Sequence, residues 1–244
     1  MSTTQPAAAV ANDQAAKLEV RWLGRIEYAE ALAVQESRLE AKLRGDAADH
    51  LLVLEHDPVY TLGRGADAAD LRGAPERLGV PVHRVGRGGG ATFHGPGQLV
   101  CYPIVRLTPS GRDVHRFVRA LEATLVSTCA RLGIDASVRS GQTGVWAGEA
   151  KIASIGIGVR RGISLHGTAL NVATDLSFFD AIVPCRMEGL RTTSVEHLLG
   201  RAPSLEEVAA VFAACFVSEL GYRPDRVEGF RPGPSDPFPA AAQH

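Results

Sequence analysis

Hydrophobic and polar positions alternate over residues 18–24 (LEVRWLG), which predicts a strand. The spacing turns helical over 26–45 (IEYAEALAVQESRLEAKLRG), where Gly45 is placed to stop the helix. Residues 50–56 (HLLVLEH) form a short apolar run suited to a buried strand. Alternation returns at 97–105 (GQLVCYPIV), with Leu99, Cys101 and Pro103 on one face. It continues over 144–176, where turn signals break it into antiparallel strands. From Arg112 to Leu132, Val114, Phe117, Val118, Leu121, Leu125, Cys129 and Leu132 share a helical stripe, and Gly133 follows the end. Ser204 and Glu207 make a capping-box pattern before a helix running to Leu220, with Val208, Val211, Phe212 and Cys215 facing inward. No regular strand–helix–strand period joins these segments. The pattern therefore predicts an α+β fold, a mixed or antiparallel sheet backed by helices.

Composition narrows the organisation. The 244 residues suffice for one substantial core. Residues 1–16 are rich in Ala, Thr and Gln and read as a disordered N-terminal segment, residues 17–230 as a single domain, and 231–244 as a Pro-rich C-terminal tail. A net charge of −1 leaves no basic excess for binding a nucleic acid through its phosphates. No apolar run is long enough to span a membrane, and the N-terminus lacks a basic n-region and contains Asp13, so cytoplasmic residence is the default expectation. Four scattered cysteines without a CxxC pair form neither a disulfide framework nor a zinc site, and no metal site is expected. Only three of the 26 basic residues are lysines (Lys17, Lys42 and Lys151). A lysine inside a folded segment of such a chain signals that an amine was wanted there.

Three places carry candidate chemistry. Residues 85–98 (VGRGGGATFHGPGQ) hold six glycines, but the spacing matches neither a Walker nor a dinucleotide-binding loop. A strand follows, so no helix N-terminus is available for a phosphate. The glycines read instead as a wall against an extended, uncharged chain, or simply as a turn. Cys129 and Cys215 sit on apolar stripes and read as core, Cys101 as core or pocket lining. Cys185, directly after Pro184 and before Arg186, reads as a thiol both held and reachable, or as a half-buried loop cysteine. Lys151 heads the run KIASIGIGV, where alternation puts it on the face of Ala153, Ile155, Ile157 and Val159. It is a partly desolvated base or the cap of an exposed strand end. His94 and His166 each precede a glycine and are the other pocket-lining candidates.

Three blocks, RGGGATFHGPGQLVCYPI, GVWAGEAKIASIGIGVRRGISLHGTALNV and DAIVPCRMEGLRTTSV, together resemble the lipoyl(octanoyl) transferases over roughly residues 82–198. That resemblance implies a biotin/lipoate protein ligase-like domain, α+β with a mixed, mostly antiparallel central sheet flanked by helices. It implies Cys185 as the acyl-carrying nucleophile and Lys151 as the partner that lowers its pKa. It implies substrate contacts at Arg87, Gly88, Gly89, Gly90, Ala91, Thr92, Phe93 and His94, at Ser154, Ile155 and Gly156, and at Gly167, Thr168 and Ala169. The implied donor is octanoyl-acyl carrier protein. The implied acceptors are lipoyl domains of 2-oxoacid dehydrogenase E2 subunits and the glycine cleavage H protein. No cofactor, ATP or metal is expected, and a monomer is expected. Arg186 and Met187 stand after Cys185 where the family usually shows glycine and a small aliphatic residue. The alternatives are an ATP-dependent lipoate or biotin protein ligase on the same fold and a non-catalytic acyl- or lipoyl-domain-binding protein. Against the first stand Cys185, the HGPGQ ending of the glycine block and the short length after residue 230.

The chemistry suits these residue types. Moving an acyl group between thioesters needs no nucleotide, whereas a serine would trap it as a less reactive ester. A thiol of pKa about 8.5 is only about 3% thiolate at pH 7, and a neighbouring ammonium raises that fraction. Gly88, Gly89 and Gly90 are candidates for polarising the thioester oxygen through their N–H groups. Arg84, Arg87, Arg160, Arg161, Arg186 and Arg191 form a candidate docking patch for an acidic carrier protein.

Overall fold

A computed structural model describes residues 16–46, 48–73, 79–107, 114–183 and 189–230. Eleven strands and four α-helices are formed among them. They are β1 (Lys17–Ile26), α1 (Tyr28–Leu43), β2 (Asp49–His56), β3 (Val59–Leu62), β4 (Val82–Arg84), β5 (Ala91–His94) and β6 (Gln98–Ile104). Then come α2 (Val114–Arg131), β7 (Ser137–Arg139), β8 (Gln142–Ala147), β9 (Ala150–Arg160), β10 (Ile163–Asn171), α3 (Val195–Leu199), α4 (Leu205–Leu220) and β11 (Arg223–Glu228). Eight strands make the main sheet in the order β11-β1-β2-β6-β10-β9-β8-β7. β1 is parallel to both its neighbours, and every other pair is antiparallel. The sheet is thus mixed and mostly antiparallel, as expected.

The apolar run of β2 serves both faces of this sheet. Leu51 and Val53 join a core with Phe117, Leu121 and Leu125 of α2 and Val208, Phe212 and Phe216 of α4. Leu52 and Leu54 point the other way, toward Ala31 and Leu39 of α1. β6 divides likewise, Leu99 and Cys101 to the first core, Val100, Tyr102 and Ile104 to the second. Cys129 and Cys215 are buried. The capping box at Ser204 is formed with Glu207. A second sheet, β4-β3-β5, has no counterpart in the periodicity analysis. Its strands are three or four residues long, too short to show a period. No helix among the described residues is long and apolar enough to cross a membrane.

One buried ion pair ties the ends of several elements together. The Lys42 ammonium lies 2.6 Å from the Asp49 carboxylate, and both side chains are nearly inaccessible. Asp49 also accepts from the Arg106 N–H at 3.0 Å and the Tyr222 hydroxyl at 2.7 Å. Lys42 donates to the Ala48 carbonyl, 2.7 Å away. Removing the cation alone would leave a carboxylate buried at the junction of α1, β2 and the end of α4. Lys42→Met is therefore expected to destabilise the protein by about 3–5 kcal/mol. A lowered urea midpoint with an unchanged m-value would show it; an unchanged midpoint would refute it.

Candidate active site

The glycine block folds back over the β9–β10 region of the main sheet. The Gly88 N–H donates to the Ile157 carbonyl of β9 at 2.9 Å. From the other side, Arg64 and Gly65 donate to the carbonyls of Arg87 and Gly89 at 2.9 and 3.0 Å, and Gly63 donates to Gly90 at 3.2 Å. A Cβ on Gly63 would stand 2.4 Å from the Gly89 oxygen, so only glycine permits this clasp. Gly63 and Gly65 escaped the sequence analysis because a GRG triplet is a common turn. Since its N–H is committed to β9, Gly88 is removed from the candidates for polarising a thioester oxygen.

Beneath this block lies a cleft that opens to solvent. Of the residues expected to contact substrate, Arg87, Gly89, Gly90, Ala91, Thr92, His94, Ser154, Ile155, Gly156, Gly167, Thr168 and Ala169 line it, together with Tyr28, Tyr102 and His166. Gly88 and Phe93 are not among the lining residues. Phe93 alternates away from Thr92 and His94 on β5, and its ring stacks on Phe178 at 4.4 Å within a separate core. Gly156 and Gly167 are paired across β9 and β10, so the floor carries no side chain at its centre.

Lys151 departs from the simple alternation. Val145 of β8 pairs with Ala153, but the next residue, Trp146, pairs with Lys151, which leaves Ile152 as an extra residue in β9. Such a bulge re-aims the side chains beyond it. Ile152, Ala153 and Ile157 enter the α2/α4 core, whereas Lys151 falls on the opposite face, shared with Ser154 and Gly156. The expectation that Lys151 shares the face of Ala153, Ile155, Ile157 and Val159 is therefore corrected. The side chain is buried, with the ammonium 2.9 Å from the Thr143 carbonyl and 4.9 Å above the Trp146 ring. Gly144 leaves it room, since a Cβ there would stand 2.5 Å from the Lys151 Cε. The Gly144 N–H is anchored by the buried Glu122 of α2 at 3.1 Å. Cys185 lies outside the described residues. The chain beyond it meets β9 at Lys151, whose N–H donates to the Arg191 carbonyl and whose carbonyl accepts from the Thr193 N–H.

A directed chain of hydrogen bonds joins the cleft wall to that contact. Arg87 donates to the Thr61 hydroxyl at 2.8 Å, and Thr61 lies 3.4 Å from His94 Nε2. His94 Nδ1 donates to Gln98 Oε1 at 2.8 Å, Gln98 to Asn171 Oδ1 at 3.0 Å, and Asn171 to the Thr193 carbonyl at 3.0 Å. Because the Gln98 oxygen only accepts, His94 carries a proton on Nδ1. Both ring nitrogens of His94 are thus engaged within the wall. Gln98, Asn171 and Tyr102 looked like ordinary strand residues in the sequence; their partners lie far away in the chain.

The cleft wall resists protonation. Burial, reinforced by the neighbouring His56 ring and the Arg87 charge, lowers His94 to about 3. Burial lowers His56 to about 4 against the opposing bond to the Ile26 carbonyl, and burial with Arg87 and Arg64 lowers His166 to about 4. Burial raises the Tyr28 hydroxyl to about 12. Arg87 is buried and engaged with Thr61 and the Gly88 carbonyl, so it cannot dock a carrier protein. Arg160 contacts Glu36 and Glu40. Arg84, Arg161 and Arg191 remain exposed, and Arg186 lies outside the described residues.

The histidine shifts have a definite sign. Each folded-state pKa is below the unfolded value of about 6.5, so the unfolded chain binds more protons in acid. This part of the stability is complete above pH 6.5 and is lost as the pH falls toward 4. Each histidine contributes a slope of about 1.4 kcal/mol per pH unit within that window. His56→Asn is expected to flatten the pH dependence of stability between 6.5 and 4 by about one such increment. Urea titrations at several pH values measure it, and an unaltered slope would contradict the assignment.

Comparison with known proteins agrees with this architecture. The sequence profile of the lipoyl protein ligase A/B catalytic domain matches residues 27–217. An octanoyltransferase from Citrifermentans bemidjiense is 49% identical over 194 residues, covering 80% of this chain and 93% of its own. One from Geobacter metallireducens is 42% identical over 218 residues, covering 88% and 99%. A crystal structure of lipoate-protein ligase A bound with ATP superimposes with a TM-score of 0.72 at 23% identity, over 87% of this chain and 90% of that one, which establishes a shared fold. With its catalytic-domain match and these close relatives, the chain belongs to the octanoyltransferase family.

Proposed function

We propose that the protein is an acyltransferase of protein lipoylation. It takes an octanoyl group from the phosphopantetheine thioester of acyl carrier protein onto Cys185, then passes it to the lysine amine of a lipoyl domain or of the glycine cleavage H protein. The observation that supports this most directly is the bulge that turns Lys151 out of the α2/α4 core and onto the face of the glycine-walled cleft. An amine in that position serves a thiol chemistry in two ways. As an ammonium it favours the Cys185 thiolate. As a neutral amine it accepts the proton from the incoming lysine. The neutral histidines and the glycine wall suit an uncharged acyl chain rather than a polyphosphate.

In the first step the Cys185 sulfur attacks the donor thioester carbon and the phosphopantetheine thiolate leaves, taking a proton. In the second the acceptor amine attacks the enzyme thioester, and the thiol is regenerated as the amide forms. Neither step consumes a nucleotide, because the thioester already carries the activation.

The test is intact mass spectrometry of the enzyme after mixing with octanoyl-acyl carrier protein and no ATP. One hydroxylamine-sensitive octanoyl adduct is expected on the wild type and none on Cys185→Ala. Lys151→Met is expected to slow adduct formation by about tenfold or more, as the thiolate fraction falls. Absence of an adduct, with modification of lipoyl domains only when lipoate and ATP are supplied, would favour a ligase instead.

A further inference from the structure

We infer that His166 is the stop at the far end of the acyl cleft and sets the longest chain the enzyme accepts. This rests on the acyl-transfer reading above, which places the thioester head near Lys151. Along β9 from Lys151, Ser154 and then Gly156 line the cleft, and Gly158 follows by alternation beyond the lining residues. Ser154 is opposite Ala169, and Gly156 is opposite Gly167. At a strand rise of about 3.3 Å per residue, Ser154 is roughly 10 Å from Lys151 and Gly158 roughly 23 Å. Directly over Gly156 and Gly158 the roof closes on β9, so the track runs beside it over β10, where Ala169, Gly167 and His166 line the cleft. A Cβ on Gly156 would meet Arg87 Cδ at 2.8 Å, and one on Gly158 would meet the Gly86 carbonyl at 3.1 Å.

The track ends at His166. Its Cδ2 lies 3.2 Å from where a Gly158 Cβ would be, and its ring meets Tyr102 edge-on at 6.4 Å. Simple alternation along β10 would send this ring elsewhere, since Leu165 and Ala169 pack on the α1 side while Leu170 enters the α2/α4 core. His166 reaches the cleft only because its backbone adopts φ +59°, a left-handed conformation uncommon outside glycine. The kink is held by the buried Gln35 of α1, whose Oε1 accepts the His166 N–H at 2.8 Å. Among the described residues the imidazole itself makes no hydrogen bond, so strain is sustained there for the ring's position. Tyr102 and Tyr28 are side walls by comparison. Tyr102 is fixed by its hydroxyl to His56 at 2.8 Å, and Tyr28 stacks against His94.

The assignment is tested with His166→Gly and His166→Asn, two residues that accept the left-handed backbone and so allow the strand to form. Each is offered octanoyl- and dodecanoyl-acyl carrier protein in equimolar competition. The dodecanoyl-to-octanoyl product ratio is expected to rise at least tenfold over wild type in His166→Gly, and less in His166→Asn. A second measurement needs no transfer: thermal stabilisation by free fatty acids of increasing chain length, whose optimum is expected to move to longer chains in the variants. If the wild type transfers nothing but this optimum still moves, the acyl-transfer reading fails and the stop stands. If folded variants keep both the wild-type ratio and the wild-type optimum, the stop is overturned.

Discussion

The cleft depends on backbones meeting where no side chain fits. Gly63 lies against the Gly89 carbonyl, Gly156 against Arg87, and Gly167 so close to the Cys101 carbonyl that a Cβ would stand 1.9 Å away. The Gly156 contact brings the glycine block of the second sheet down onto the main sheet, while the other two draw neighbouring segments together within each side. Methyl groups at these places would either fill the cleft or push its walls apart. The glycines are therefore spent on separation and approach at once, rather than on flexibility. A nucleotide cradle would use the same residue type differently, to aim N–H groups at phosphate from a helix N-terminus. Here the strand that follows the block rules that use out.

Placement of the reactive amine depends on a second device. The extra residue in β9 turns Lys151 away from the α2/α4 core, and the hydrogen-bond chain from Arg87 to Thr193 ties the cleft wall to the segment paired with Lys151. Wall and amine are thus held by one continuous polar network through the sheet. Burial keeps the two cleft histidines, His94 and His166, neutral, so the positive charge nearby is carried by Arg87 and Arg64, not by imidazolium.

Lysine scarcity pointed to lysines inside folded segments, and the two buried ones differ. Lys42 neutralises a buried carboxylate at a structural junction, whereas Lys151 is turned onto the face of the cleft. In both cases a slim amine fits a site where a guanidinium would need more room. Usage alone could not separate them, because each is buried and each sits at the end of a regular element.

Local pattern determined much of this protein. The main-sheet strands read from alternation, the three long helices, the capping box at Ser204 and the glycine wall all follow from spacing that neighbours in sequence enforce. The resemblance of three blocks marked most of the cleft residues. What only the tertiary structure decided are the departures from period and the distant pairings. The bulge at Ile152 and the left-handed backbone at His166 each reverse the face that alternation assigns, and neither leaves a mark in residue type. Gln98, Asn171 and Gln35 acquire their roles from partners tens of residues away. Period is a property of one segment, while the direction a side chain finally takes is settled by the strands and helices packed beside it.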